Sequence, residues 1–132
     1  MELQTSRQAN ELSALFHHTG GDIELPKPFE RDIFLFDTHV AGVMHVEGFE
    51  KIESQLMRGD ELAFHREPHN AFDAEAIRIE TKEGQKIGYI PKKDNIIFAR
   101  LMDAGKLLFA KIQSKERKGK WTRIEIGVYL KE

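Results

Sequence analysis

The 132-residue chain contains no cysteine, which excludes disulfides, thiolate nucleophiles and thiolate metal ligands. It also lacks any apolar run near the roughly 18 residues that a membrane-spanning helix needs. The opening Met1-Glu2-Leu3-Gln4-Thr5 has neither the basic nor the apolar region of an export signal, so a cytoplasmic location is the expectation. There is no Gly-x-Ser-x-Gly, no phosphate-cradling glycine loop and no dinucleotide fingerprint. The residues therefore make no positive case for an enzyme and imply no cofactor. Internal repeats and low-complexity tracts are missing too, which leaves one domain with a short N-terminal extension.

What the chain does have is charge, unevenly spread. The net charge is −2, yet residues 1–81 hold 7 Lys/Arg against 16 Asp/Glu, while residues 82–132 hold 13 against 6. A basic half can attract polyanions even in an acidic chain, because surface fields are screened within about 8–10 Å. The competing reading is that acidic and basic halves of one fold complement each other.

The chain is organised around Leu62 to Ile79. Leu62, Phe64 and Arg66 alternate as a strand does, and Ala76 to Ile79 is a second β-like run. Between them lies Glu67-Pro68-His69-Asn70-Ala71-Phe72-Asp73. Pro68 biases Glu67 toward extended geometry, and Asn70 and Asp73 bond their local backbone readily. The ring of Phe72 in so long a connection belongs either in the core or against a ligand.

Around this stretch, Leu12, Leu15 and Phe16 give helical spacing to residues 3–16, and Gly20-Gly21 stops that helix. Pro26-Lys27-Pro28 is a stiff linker, placing an N-terminal helical extension at 1–28 and a β domain at 29–132. Ile33 to Phe36 reads as a buried strand continuing to Gly42, where a bulge or close backbone approach is expected. Val43 to Val46 resumes β character, and Phe49 to Met57 reads as a helix. Ile77–Thr81 and Lys86–Ile90 form a hairpin about Glu83-Gly84. Asn95 to Ala104 is a helix with Ile97 and Leu101 inward, Ile96 and Phe98 as further inward candidates, and Gly105 as its stop. Leu107–Gln113 and Trp121–Leu130 are strands flanking a charged turn from Ser114 to Lys120. About six short strands with two inserted helices predict a mainly β fold, a small OB-like or SH3-like barrel.

Histidines 65 and 69 have metal-ligand spacing only on a helix, which Pro68 opposes, so no metal site is expected. Glu67, Asp73 and Glu75 read as solvated or capping acids. Nucleic-acid binding has more support. Single strands are held by aromatic faces, worth about 1–3 kcal/mol per base, with cations along the backbone. Phe72 and Tyr89 are candidate platforms, with Lys92 and Lys93 following Tyr89. A second basic cluster is Lys115, Arg117, Lys118, Lys120 and Arg123, equally readable as a solvated hairpin.

Three segments then carry a resemblance: Phe36 to Gly42, Arg66-Glu67-Pro68-His69-Asn70-Ala71-Phe72-Asp73-Ala74-Glu75-Ala76-Ile77, and Ile87-Gly88-Tyr89-Ile90-Pro91. With Asn95 and Leu101 to Gly105, in that order and spacing, they resemble the HIRAN domain over roughly Ile33 to Gln113. The resemblance implies an OB-like barrel that binds single-stranded DNA by its free 3′ end, in DNA repair or replication-fork processing, with DNA-processing proteins as further partners. It implies that a ring at Phe72 stacks on the terminal base, assisted by an aromatic at the position of His45, and that Asp73 accepts from the 3′-hydroxyl. Asn70, Tyr89 and Lys92 would lie near the terminal nucleotides, and Arg66 falls inside the matched motif. The chain departs from that pattern at Met44, where it is basic, at His45, where it has a larger aromatic, and at Tyr89, which replaces a histidine. The alternative is a protein-interaction or scaffold module that keeps the barrel without the end pocket.

Overall fold

The computed structural model describes residues 31–131, so the expected N-terminal helix and its proline linker lie outside the described residues. Six strands are β1 (Asp32–His39), β2 (Glu61–Arg66), β3 (Ile77–Thr81), β4 (Lys86–Tyr89), β5 (Leu107–Lys118) and β6 (Trp121–Lys131). Two helices, α1 (Phe49–Glu53) and α2 (Asn95–Asp103), are inserted between them. The strands form one sheet in the order β1-β6-β5-β2-β3-β4, each neighbouring pair antiparallel.

Period-two alternation builds the core. Leu62 and Phe64 of β2, Ile77 and Ile79 of β3, and Ile124, Ile126 and Val128 of β6 all point inward and are buried. Irregular pairing between Phe34 and Phe36 and between Ile112 and Ser114 bends the long strands so that the sheet curls. Its two ends then meet. The backbones of Ala41 and Tyr89 exchange hydrogen bonds of 2.8 and 2.9 Å, joining the chain after β1 to β4. The result is an OB-like half-barrel, mainly β, as the strand spacing predicts.

Closure depends on Gly88. A Cβ there would lie 2.4 Å from the Ala41 carbonyl oxygen and 2.5 Å from Val40 Cγ1. The close backbone approach expected at Gly42 is thus found one strand away. Gly42 instead adopts a left-handed φ of 76° that turns the chain into a 3-10 turn, Val43–His45, where β structure was expected.

Other expectations shift for identifiable reasons. Ile33 to Phe36 is a two-faced strand, with Phe34 and Phe36 half exposed, because β1 covers the core with one face only. The first helix is shorter than its apolar spacing predicts, ending at Glu53, and leaves Met57 exposed. In α2 the buried side chains are Asn95, Phe98 and Ala99, while Ile96 and Ile97 face out. Helix α2 stops as expected at Gly105, with Gly105 N–H donating to Met102 and Lys106 N–H to Leu101, a Schellman pairing. The charged segment from Ser114 is strand up to Lys118, which pairs Trp121 across a tight Gly119-Lys120 turn. The two long strands pair edge to edge and carry these charges on the ladder.

Candidate nucleic-acid interface

The β2–β3 connection holds its shape through its own polar groups. Glu67 N–H donates to the Ala76 carbonyl at 3.0 Å, closing the loop's base. The Asn70 side-chain oxygen accepts from the N–H groups of Phe72 at 2.9 Å and Asp73 at 3.1 Å. One Asp73 carboxylate oxygen accepts from Glu75 N–H at 2.9 Å. These are the local Asx bonds that the residue types favour. Because they define the loop without help from an apolar anchor, the Phe72 ring is left 91% exposed. The ring is therefore not part of the core.

The other Asp73 oxygen accepts from the buried amide of Asn95, at 2.8 Å, which ties the loop to the start of α2. The N–H of Glu75 and the Asn95 amide hold the Asp73 carboxyl below the usual carboxylate range, helped by the charges of Lys92 and Arg66. Asp73 therefore stands ionised beside the exposed ring, and each of its oxygens keeps acceptor capacity.

Across from the loop, Tyr89 is half-buried at the end of β4. Its hydroxyl donates to Glu67 at 2.7 Å, and the Lys86 ammonium lies 4.6 Å from its ring centroid. Glu67 also accepts from the Asn70 amide at 2.9 Å. Between the two walls runs an open groove of about 460 Å³, lined by Asn70, Phe72, Asp73, Lys86, Tyr89 and Lys92 over a floor that includes Ala76 and Ile90. It presents an aromatic face, two ammonium groups and one carboxylate to anything that enters.

Of the residues singled out from sequence, Asn70, Phe72, Asp73, Tyr89 and Lys92 come together here. Three others stand apart. Arg66 braces the loop from behind, gripping both oxygens of Asp103 at 2.9 and 3.1 Å and the Ala76 carbonyl at 2.8 Å. Lys93 borders a separate apolar hollow with Phe36, Ile97 and Leu101. His45 is exposed on the 3-10 turn and does not line the groove, while its neighbour Met44 lines a different cleft beside Arg117, Lys120 and Trp121.

One groove residue, Lys86, escapes the sequence reading, and Asn95 enters it only as a helix start and within the HIRAN resemblance, with no role at the site. Lys86 would sit opposite Tyr89 by strict alternation, but the β3–β4 register slips between Ile79 and Glu80, and its ammonium reaches the ring. His65 bonds Glu80 at 3.0 Å, and no cluster of three or more metal-ligating side chains occurs among the described residues. No helix among them is long and apolar enough to cross a membrane.

A six-stranded half-barrel with a ring-and-carboxylate groove at its closure point defines a small binding module. The HIRAN domain family model matches residues 33–132, and the chain belongs to that family, known as a DNA-binding module without catalytic activity of its own. A crystal structure of a protein from Lactobacillus plantarum superposes with a TM-score of 0.71 at 25% identity, covering 76% of this chain and 95% of that one. The crystal structure of the HIRAN domain of human HLTF gives 0.58 at 19% identity, over 76% and 81% of the two chains. The NMR structure of the HLTF HIRAN domain gives 0.52 at 17%, over 80% and 84%. The comparison with curated proteins returns no match.

Proposed function

We propose that this protein binds single-stranded DNA, without catalysis, and prefers a free 3′ end held in the groove between Phe72 and Tyr89. The observation that carries the reading is the juxtaposition of a 91% exposed Phe72 ring with an ionised Asp73. An aromatic that the fold does not need is available for a base to stack on. A carboxylate next to it repels a phosphate and accepts from a hydroxyl, so the chemical group matched to this spot is an unmodified 3′-hydroxyl. Lys86 and Lys92 supply the cations that such a strand's preceding phosphates require. Arg66 contributes by bracing the loop. His45 and Lys93 would meet only nucleotides beyond the groove. DNA repair or replication-fork processing is the setting in which free 3′ ends arise.

Fluorescence anisotropy with short oligothymidines ending in a free or a phosphorylated 3′ terminus tests this. Tighter binding of the free end is expected, by roughly tenfold if one charge-assisted hydrogen bond is at stake. Equal binding to both, or no binding at low salt, would sink end recognition.

A further inference from the structure

The groove's two walls belong to different hairpins, and one side chain behind them touches both. Glu67 Oε1 accepts from the Asn70 amide at 2.9 Å on the loop wall and from the Tyr89 hydroxyl at 2.7 Å on the β4 wall. Its second oxygen meets the Arg78 guanidinium at 3.3 Å. Arg78 is held in turn by Glu80 at 2.7 Å, and its Nε has no hydrogen-bond partner among the described residues. Glu67 itself does not line the groove.

We propose that Glu67 is a positioning residue that sets the distance and orientation of Phe72 and Asp73 relative to Tyr89. This rests on reading the groove as a DNA-end site. Through Asn70 the argument is directional. An amide that donates its N–H to Glu67 must turn its oxygen away, and that oxygen is what receives the Phe72 and Asp73 N–H groups. Through Tyr89 it is exclusive. The phenol has one O–H to give and gives it to Glu67, so Tyr89 meets a ligand with its ring, leaving phosphate contacts to Lys86 and Lys92. Burial works against the Glu67 charge, but the hydrogen bonds from Asn70 and Tyr89 and the Arg78 charge outweigh it and hold the carboxyl below its ordinary range. A glutamine could keep its oxygen on Asn70 and Tyr89 and turn its NH2 toward Arg78, whereas a methionine of similar length removes every acceptor between the two walls.

Glu67→Met in the full chain tests the assignment with two readouts. Hydrogen exchange of the Phe72 and Asp73 amides should accelerate at least about tenfold, while amides of Ile124 and Ile126 keep their protection. The affinity ratio between free and phosphorylated 3′ oligothymidines should fall several-fold. A merely structural role would instead lower the melting temperature and weaken both oligonucleotides equally, with the ratio kept, and that result overturns the proposal. Unchanged exchange at both amides overturns it as well. If the wild-type protein itself does not distinguish the two ends, end recognition fails while the exchange readout still decides whether Glu67 sets the loop. Should Glu67→Met not fold, Tyr89→Phe removes one arm with little change in shape. It should raise exchange at Phe72 and Asp73 and lower the ratio, and no change in either overturns the coupling.

Discussion

The Phe72 loop and the β5–β6 hairpin are the two regions where aromatic and charged residues gather, and they are built in opposite ways. In the loop, the polar groups are knitted to one another and the ring is bare. In the hairpin the cations are the knitted part. Lys115 pairs with Glu53, Lys118 with Glu116, Arg123 with Glu125, and Arg117 donates to the Gly119 carbonyl. Its aromatic, Trp121, packs partly buried against the core. A cation already bonded to a carboxylate offers a polyanion less than its formal charge, because the new contact must replace the old one. Ion pairs such as Lys115–Glu53 and Lys111–Asp32 also join the basic C-terminal half to the acidic N-terminal half. The charge asymmetry along the sequence is therefore partly cancelled in space, and on the proposed reading the fewer cations at the groove are expected to count for more than the larger cluster on the hairpin.

The largest effect is expected where the loop side loses its scaffold. Gly88→Ala places a methyl 2.4 Å from the Ala41 oxygen and must part the Ala41–Tyr89 bridge. A loss of about 1–3 kcal/mol is expected for such overpacking, read as a lower melting temperature in thermal unfolding. DNA affinity should fall with it, since Tyr89 moves. An unchanged melting temperature would show that the sheet does not need closure at this point.

Phe72→Ala should do the reverse, costing binding and leaving the fold alone. Removing one stacking ring is worth about 1–3 kcal/mol, roughly fivefold to a hundredfold in dissociation constant. Because the ring is 91% exposed, stability should stay within about 0.5 kcal/mol. Anisotropy paired with urea unfolding separates the two effects, and a stability loss matching the binding loss would return Phe72 to the core.

Much of the fold is legible in the sequence. The hairpin at Gly84, the stop at Gly105 and the β2 and β3 faces follow from alternation and turn chemistry, which are local. The groove is legible in part: Phe72, Tyr89 and Lys92 stand out by their own chemistry, and Asn70 and Asp73 only through the resemblance to the HIRAN domain. What was not legible depends on non-local packing. Lys86 needed the slipped register of β3 and β4. Ile96 and Ile97 face out because the polar Asn95 takes the inward position beside Asp73. The close approach moved from Gly42 to Gly88 because only pairing across the closed sheet reveals which backbone is crowded.

Asp73 sharpens the comparison through pH. Its folded-state carboxyl lies below the ordinary range, with the Glu75 N–H and the Asn95 amide as the leading causes. A depressed carboxyl contributes stability that is present above the unfolded value of about 3.9 and is lost as pH falls through the folded one. Affinity for the free 3′ end should therefore hold steady from pH 7 to pH 5 and fade only below about pH 4. Oligothymidine suits this measurement, as thymine does not take up a proton in that window. Asp73→Asn should weaken binding of the free 3′ end from pH 7 to pH 5, and a wild-type loss already complete at pH 5 would take the role away from Asp73.

The smallest effect is expected on the hairpin, where it discriminates most. Lys115 donates to the Glu53 carboxylate at 3.0 Å and to its backbone carbonyl at 2.8 Å, and it is the leading cause of the lowered Glu53 carboxyl. Lys115→Ala should cost at most about 1 kcal/mol of stability, as partly exposed pairs do. It should leave DNA affinity within about twofold and the salt slope unchanged, because this ammonium is already engaged. Lys92→Ala removes an exposed groove cation and should lower the slope of log affinity against log salt by about one. Salt titrations of the two variants side by side decide which surface carries the phosphates. A drop of one in the slope for Lys115→Ala, with none for Lys92→Ala, would move the DNA path from the groove to the hairpin.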